Sequence, residues 1–290
     1  MPDFEKLRNE FAQQLRAEAH LHSASLVGAL ARVSRERFVG PGPWQIIDLE
    51  SGNIAYQQTP DDDPKHLYRN VLVALDASRL LNNGHPGSLA GWLDALDLQQ
   101  GERVVHLGCG TGYYTAIMAE MVGPHGGVLA VEIDAALADQ ARKNLRPWSQ
   151  VEVVAADGSQ LDVAERDAIF VNAGATHPAA AWTRSVRRPG GRIILPLTYE
   201  TSPGMGAGAM LLLTARTDRE LSVRMLSAVM IFSCAGSRDD RLDPALRAAF
   251  EGGGADGLQT LTLFPTHAAD EHCWFHCAQY CLAPRRRRFT

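Results

Sequence analysis

The sequence lacks any apolar run long enough for a membrane: its most hydrophobic stretches, such as residues 209–214, fall far short of the ~20 residues a spanning helix needs. No targeting segment is recognisable either. The opening MPDFEKLRNE is too charged for a signal peptide, and the cytoplasm is the expected compartment. Cysteine is sparse and irregularly placed: Cys109, Cys234, Cys273, Cys277 and Cys281 do not form the even framework of a secreted disulfide scaffold, so free thiols in a reducing compartment are expected. Net positive charge is confined to one end, because the net charge is −5 and the four arginines at 285–288 leave −9 on the remainder. That balance argues against a nucleic-acid surface on the body, and the arginine tail is expected to be an ordinary solvated end. No internal repeat is present. The 290 residues and 46% hydrophobic content suffice for one large domain or two small ones.

Residues 104–112 read VVHLGCGTG, an apolar strand running into a Gly-x-Gly-x-Gly turn, and Glu132 closes the next apolar run twenty residues after Gly112. Gly108, Gly110 and Gly112 allow a tight turn at the carboxyl end of a strand and a close approach of backbone to ligand, which a Cβ would block. Glu132 is expected at the tip of the neighbouring strand, where a carboxylate accepts both hydroxyls of a ribose. The spacing differs from the Gly-x-Gly-x-x-Gly of nicotinamide enzymes, whose helix N-terminus receives a pyrophosphate. A nucleotide-like ligand without phosphates is therefore favoured. The stretch resembles the first motif of class I methyltransferases, which use S-adenosylmethionine. Asp157-Gly158 closes the following apolar run and matches the acid that accepts the adenine amino group in those enzymes; a turn or helix-cap aspartate is the alternative.

Phe4, Leu7, Phe11 and Leu15 share one helical face, and Leu26, Leu30 and Val33 share another behind the candidate cap Ser23. Asp63-Pro64 predicts a further helix carrying Leu67, Val71, Ala74 and Leu75 and ending near Asn82-Asn83-Gly84. From Arg103 onward strands at 103–107, 128–132, 151–155, 167–171 and 192–197 are interspersed with helices at 112–122, 134–145 and near 179–187. This pattern predicts a parallel α/β sheet covered on both faces. Runs at 209–215 and 223–232 are expected to finish the sheet as an antiparallel pair. Asp243-Pro244 opens a short helix, 258–264 and 273–282 read as late strands, and 199–207 and 252–257 read as glycine-rich loops. The expected class is thus α/β, a Rossmann-like class I methyltransferase sheet with helices on both faces. It is divided into an N-terminal helical preface (1–82), an S-adenosylmethionine-binding domain (83–233) and a C-terminal α+β extension with a basic tail (234–290).

Cys273, Cys277 and Cys281 lie four apart, with His272 and His276 interleaved. Trp274, Phe275 and Tyr280 favour one continuous strand, on which the cysteines share a face but sit about 13 Å apart per four residues, too far for one ion. Buried thiols and no metal are expected.

The segment LVGALARVSRERFVGP (residues 26–41) resembles the N-terminal helix and the arginine, glutamate and phenylalanine signature of the protein-L-isoaspartate O-methyltransferase family. DAIFVNAGATHP (167–178) and RPGGRIILPL (188–197) resemble its fourth and fifth strands. The resemblance implies S-adenosyl-L-methionine as cofactor, contacted by His106, Gly108, Cys109, Gly110, Gly112, Tyr113, Thr115, Glu132, Ile133, Asp157 and Gly158. It also implies a carboxylate acceptor, an aspartate- or isoaspartate-type residue of a peptide or protein. The family's Gly-Gln-Thr-Ile-Ser-like loop reads Gly84-His85-Pro86-Gly87-Ser88 here. The serine is kept, while the threonine position holds a proline that donates from neither side chain nor backbone. His106 stands where an acid is usual; it reads as a structural strand-end histidine, with a contact to the methionine portion of the cofactor as the alternative.

His85, Ser88 and Asn172 are the candidates on the acceptor side. Ser88 would hold a carboxylate oxygen, or simply start the helix of Leu89, Trp92, Leu93 and Leu96 behind Pro86. Asn172 follows the fourth strand, where methyltransferases commonly place acceptor-facing residues. A carboxylate is already anionic at neutral pH, so no strong general base is required. The alternatives are a small-molecule or biosynthetic-peptide methyltransferase on the same scaffold and a non-catalytic cofactor-binding subunit. A nicotinamide oxidoreductase is a further alternative, against which the glycine spacing argues. An RNA base methyltransferase is disfavoured because Asn172-Ala173-Gly174-Ala175 is not an Asn/Asp-Pro-Pro-aromatic loop. Neither membrane nor nucleic acid is an expected partner, and the oligomeric state is not legible.

Overall fold

The computed structural model describes residues 4–52 and 54–284; the arginine tail at 285–288 lies outside the described residues. In order, the elements are α1 (Phe4–Glu18), α2 (Ala24–Arg32), β1 (Gln45–Ile47), β2 (Gln57–Gln58), β3 (Leu72–Asp76), β4 (Leu81–Asn82) and α3 (Pro86–Leu96). There follow β5 (Arg103–Leu107), α4 (Tyr113–Val122), β6 (Gly127–Glu132), α5 (Ala135–Asn144), β7 (Val151–Ala155), β8 (Ala168–Val171) and α6 (Ala180–Ser185). The last are β9 (Arg192–Ser202), β10 (Met205–Ala215), β11 (Glu220–Phe232), α7 (Asp243–Glu251), β12 (Thr260–Leu263), β13 (Phe275–His276) and β14 (Tyr280–Ala283). Two compact units result, one from residues up to 102 together with 109–155, the other from 103–108 together with 156 onward. Among the described residues no helix is long and apolar enough to cross a membrane.

In the first unit, Phe11 and Leu15 of α1 and Leu26 and Leu30 of α2 are buried. Ser23 caps α2 by accepting the Leu26 N–H at 3.2 Å. The helix expected from Asp63-Pro64 does not form. Asp63 does cap, accepting the Lys65 N–H at 3.0 Å, but only a single 3-10 turn, Pro64–His66, follows. Val71, Val73 and Leu75 recur at every second position, a spacing that suits a strand, and the chain continues as β3 in an antiparallel sheet of order β2-β1-β3-β4. Val71 and Val73 close a small core with Val39, Trp44 and Leu67. The preface is thus mixed rather than helical. Further on, β6 and β7 run parallel with Glu132 opposite Ala155. Asp134 caps α5, accepting the N–H groups of Ala136 and Leu137 at 3.0 and 3.2 Å.

In the second unit, β5, β8 and β9 run parallel, and all four residues of β8 are buried, as a strand covered on both faces requires. The strand order is β13-β14-β12-β11-β10-β9-β8-β5, with β9 to β12 antiparallel, so this sheet is mixed. Residues 199–207, expected as a loop, are instead the ends of the β9–β10 hairpin, which turns at Pro203-Gly204 with Gly204 at φ +76°. The run 273–282, expected as one strand, reverses after Cys277, whose N–H donates to the Tyr280 carbonyl at 3.0 Å. β13 therefore pairs with β14, and His276 lies opposite Cys281. None of the residues Cys277, Ala278, Gln279 and Tyr280 is of the Gly, Pro, Asn or Asp type that announces a turn, which is why the reversal is invisible in the sequence.

Candidate active site

Within the first unit the glycine turn starts at Cys109, whose N–H donates to the Val131 carbonyl at 3.2 Å. Gly110 and Gly112 both have positive φ, +56° and +99°, but for different ends. A Cβ on Gly112 would lie 2.7 Å from Leu145 Cδ1, so this glycine serves packing between the start of α4 and the end of α5. A Cβ on Gly110 would meet only Leu75 Cδ1, at 3.8 Å, which leaves its backbone bare and open to a ligand.

Glu132 is 7% exposed. Its Oε2 accepts the Gly110 N–H at 2.8 Å and its Oε1 the Asp134 N–H at 3.1 Å, so both oxygens are aimed by backbone, and each keeps a lone pair for a hydroxyl. The next residue, Ile133, is 59% exposed, an apolar side chain held in water beside a buried carboxylate. Bare backbone, an oriented carboxylate and an apolar face together fit an adenosine. Other residues expected at the cofactor are interior. Tyr113 packs edge-on against Phe38 and Tyr114 at 5.6 and 5.0 Å between ring centroids, and Thr115 is fully buried. Cys109 is buried too, and burial, with Glu132 beside it, pushes its thiol well above the ordinary range.

The turn is held from behind. The Thr111 hydroxyl donates to the Phe38 carbonyl at 2.6 Å, and Asn144 Nδ2 to the Thr111 carbonyl at 3.0 Å. Arg35 is fully buried and its guanidinium donates to the carbonyls of Leu67, Arg69 and Val71 at 2.6, 3.1 and 2.7 Å. The Tyr68 hydroxyl accepts the Arg35 N–H at 3.2 Å and donates to Glu36. Of the arginine, glutamate and phenylalanine signature, Phe38 holds the turn through its carbonyl, while Arg35 and Glu36 tie down residues 67–71.

His85 sits at the N-cap of α3, with Nδ1 3.1 Å from Ser88 Oγ. Burial, reinforced by the charge of Arg35, lowers the pKa of this imidazole. Its Nε2 is buried without a hydrogen-bond partner among the described residues. Pro86 is buried in the first turn of α3, and the Gly87 N–H donates to Asn70 Oδ1 at 2.8 Å, a contact that nothing in the sequence signalled. A cleft of about 880 Å³, lined by Arg32, Glu36, Arg37, Glu120 and Trp148, lies at the far end of α4 from the glycine turn.

In the second unit, His106 is 1% exposed on β5, edge-on to Phe170 at 5.6 Å, and burial lowers its pKa to about 3. The ring is packed in the interior, as a strand-end structural histidine would be. The Asn172 N–H donates to the Leu107 carbonyl at 2.8 Å and its Nδ2 to the Gly108 carbonyl at 3.4 Å, so Asn172 and Gly108 are neighbours. Asp157 Oδ1 accepts the Ser159 N–H at 2.9 Å, the turn role weighed for it, and the Gly158 carbonyl accepts Trp182 Nε1 at 2.8 Å. Gly236, from the extension, presses on the same carboxylate: a Cβ there would fall 2.1 Å from Asp157 Oδ2 and from Ser159 Oγ. Only the folded chain brings that residue to Asp157.

Residues 6–234 match the family model described as Protein-L-isoaspartate(D-aspartate) O-methyltransferase (PCMT). The protein-L-isoaspartate O-methyltransferase of Aeropyrum pernix is 33% identical over 199 residues, 67% of this chain and 68% of that protein. Its counterpart in Ignicoccus hospitalis is 29% identical over 204 residues, 69% of this chain and 85% of that one. Among solved structures, a protein-L-isoaspartate O-methyltransferase aligns with a TM-score of 0.65 at 17% identity, covering 95% of this chain and 87% of that one. A PCMT from Plasmodium falciparum in complex with S-adenosyl-L-homocysteine aligns with a TM-score of 0.59 at 15% identity, covering 79% and 98%. At these identities the structures show the shared Rossmann-like fold. The chain belongs to the protein-L-isoaspartate(D-aspartate) O-methyltransferase family and is an S-adenosylmethionine-dependent methyltransferase.

Proposed function

We propose that the chain methylates a carboxylate oxygen on an aspartate- or isoaspartate-type residue of a peptide or protein. S-adenosylmethionine supplies a methyl group on a sulfonium, which the acceptor oxygen takes in one displacement as a neutral thioether leaves. Glu132 would accept the ribose hydroxyls, Ile133 would cover the base, and bare Gly110 would admit the amino-acid portion. Asp157 remains the candidate for the adenine amino group. The acceptor brings its own negative charge, so the protein has to align and desolvate it rather than remove a proton. Burial lowers the pKa of the half-buried His85, so its ring adds no positive charge beside the acceptor at neutral pH.

The observation that carries the cofactor side of this reading is the Gly110–Glu132 hydrogen bond within the matched region. The carboxylate acceptor follows from the relatives, which are protein-L-isoaspartate O-methyltransferases. Buried Pro86, in the position of a threonine donor, favours a second reading: a carboxylate of a small molecule or biosynthetic peptide on the same scaffold. We place the reaction in the cytoplasm, in keeping with the irregular cysteines. The test offers labelled S-adenosylmethionine with matched isoaspartyl, aspartyl and C-terminal-carboxylate peptides and counts base-labile methyl ester. Label confined to the isoaspartyl or aspartyl peptide supports the first reading, and label only on another carboxylate supports the second. Cofactor binding with no ester on any peptide would sink the first.

A further inference from the structure

Four side chains converge in the extension, outside the region matched by the family model: His267, Cys273, His276 and Cys281, whose ligand atoms all lie within 4.8 Å of one another. Cys273 Sγ is 3.6 Å from His267 Nε2, 3.8 Å from His276 Nδ1 and 3.4 Å from Cys281 Sγ. A tetrahedral zinc ion, with Zn–S of about 2.3 Å and Zn–N of about 2.0–2.1 Å, separates its ligand atoms by about 3.3 to 3.8 Å. The three measured separations are those of one such shell. They do not suit a disulfide, whose S–S bond is about 2.05 Å.

The convergence has a structural cause. The hairpin sets His276 opposite Cys281 across β13 and β14. A turn in which the Cys273 N–H donates to the Asp270 carbonyl at 3.0 Å brings Cys273 to them. The His267 ring closes the group, its centroid 4.9 Å from that of His276. The sequence spacing that first raised a metal site selects the wrong set. Cys277 Sγ lies 3.5 Å from the Tyr280 carbonyl, and His272 pairs with Asp270 at 3.5 Å.

We propose that His267, Cys273, His276 and Cys281 bind one zinc ion in a closed, structural site of two thiolates and two neutral imidazoles. The two thiolates balance the dication, and binding releases their two protons to solvent. Four protein ligands leave no position for water or substrate, so the ion holds structure rather than performing chemistry. It staples residues 264–274, which form neither helix nor strand, to the β13–β14 hairpin at the edge of the sheet. The hairpin in turn carries fully buried Tyr280, whose hydroxyl donates to the Thr176 carbonyl at 2.8 Å. Thr176 belongs to the loop that Asn172 begins, so the zinc supports that loop from the sheet edge.

The test is elemental analysis of the full chain, produced without a histidine tag or added metal, followed by cobalt(II) reconstitution of the metal-free protein. About one zinc per chain is expected, with tetrahedral d–d absorption and thiolate-to-metal charge transfer for cobalt. Cys281→Ser is expected to abolish stoichiometric zinc and Cys277→Ser to leave it unchanged. Absence of zinc from the wild-type chain together with no tetrahedral cobalt spectrum overturns the proposal. So does full zinc retention in Cys281→Ser, or equal loss in Cys277→Ser. The wild-type cobalt spectrum decides even if Cys281→Ser does not fold.

Discussion

The Gly110 N–H donates to Glu132 Oε2 at 2.8 Å, joining the bare glycine of the turn to the acid at the tip of β6. The Asp134 N–H holds the other oxygen, so the direction of the carboxylate is set before any ligand arrives, and none of that ordering is left for the ligand to supply.

Glu132→Gln, which keeps only one acceptor oxygen for the two backbone donors, is therefore expected to lose some local stability and to bind cofactor about 30- to 150-fold more weakly, since a charged acceptor of two hydroxyls is worth about 2–3 kcal/mol. Calorimetric titration with S-adenosylhomocysteine checks it. An unchanged dissociation constant removes Glu132 from the site.

The two glycines of the turn should separate stability from binding. Gly112→Ala meets both a φ of +99° and Leu145 at 2.7 Å and is expected to lose about 2–4 kcal/mol of stability. Gly110→Ala, with only the φ cost of about 1 kcal/mol, should stay folded and lose cofactor affinity instead. Urea unfolding of both variants beside the titration would reveal the reverse order if the assignment is wrong.

Stability should fall on acidification through His106. Its pKa is lowered from 6.5 to about 3 by burial, so the unfolded chain takes up a proton in that interval that the folded chain refuses. The contribution is intact above the unfolded value and is lost as the pH falls below it, by about 1.4 kcal/mol per pH unit until the folded value is reached. His85 and His177, also lowered by burial, add to the slope in the same sense. Replacing His106 with Gln should flatten the profile between pH ~7 and ~5 by about 2 kcal/mol relative to wild type. Parallel urea-midpoint curves for the two proteins would show that His106 does not titrate in the way its burial demands.

The alternation of strands and helices from residue 103 was legible in the sequence, and so were the caps at Ser23 and Asp134, the glycine turn and Glu132. The cues behind them are local: hydrophobic period, a capping side chain two or three residues from its donor, glycine where φ must be positive. The same local cues misled at Asp63-Pro64. A cap and a first-turn proline are compatible with a helix or a single 3-10 turn, and the pairing of β3 with β1 decided between them.

The sequence by itself determined the class of fold and the glycine turn, because hydrophobic period and closely spaced glycines are signals readable within a few residues. Tertiary structure decided the rest. It buried Arg35 against three distant carbonyls, turned Tyr113 and Thr115 inward, pressed Gly236 on Asp157, and folded 273–282 back so that His267 and Cys281 meet. Each of these depends on where a strand reverses or which faces pack, and no spacing along the chain encodes a distance across a hairpin whose turn carries no turn residue.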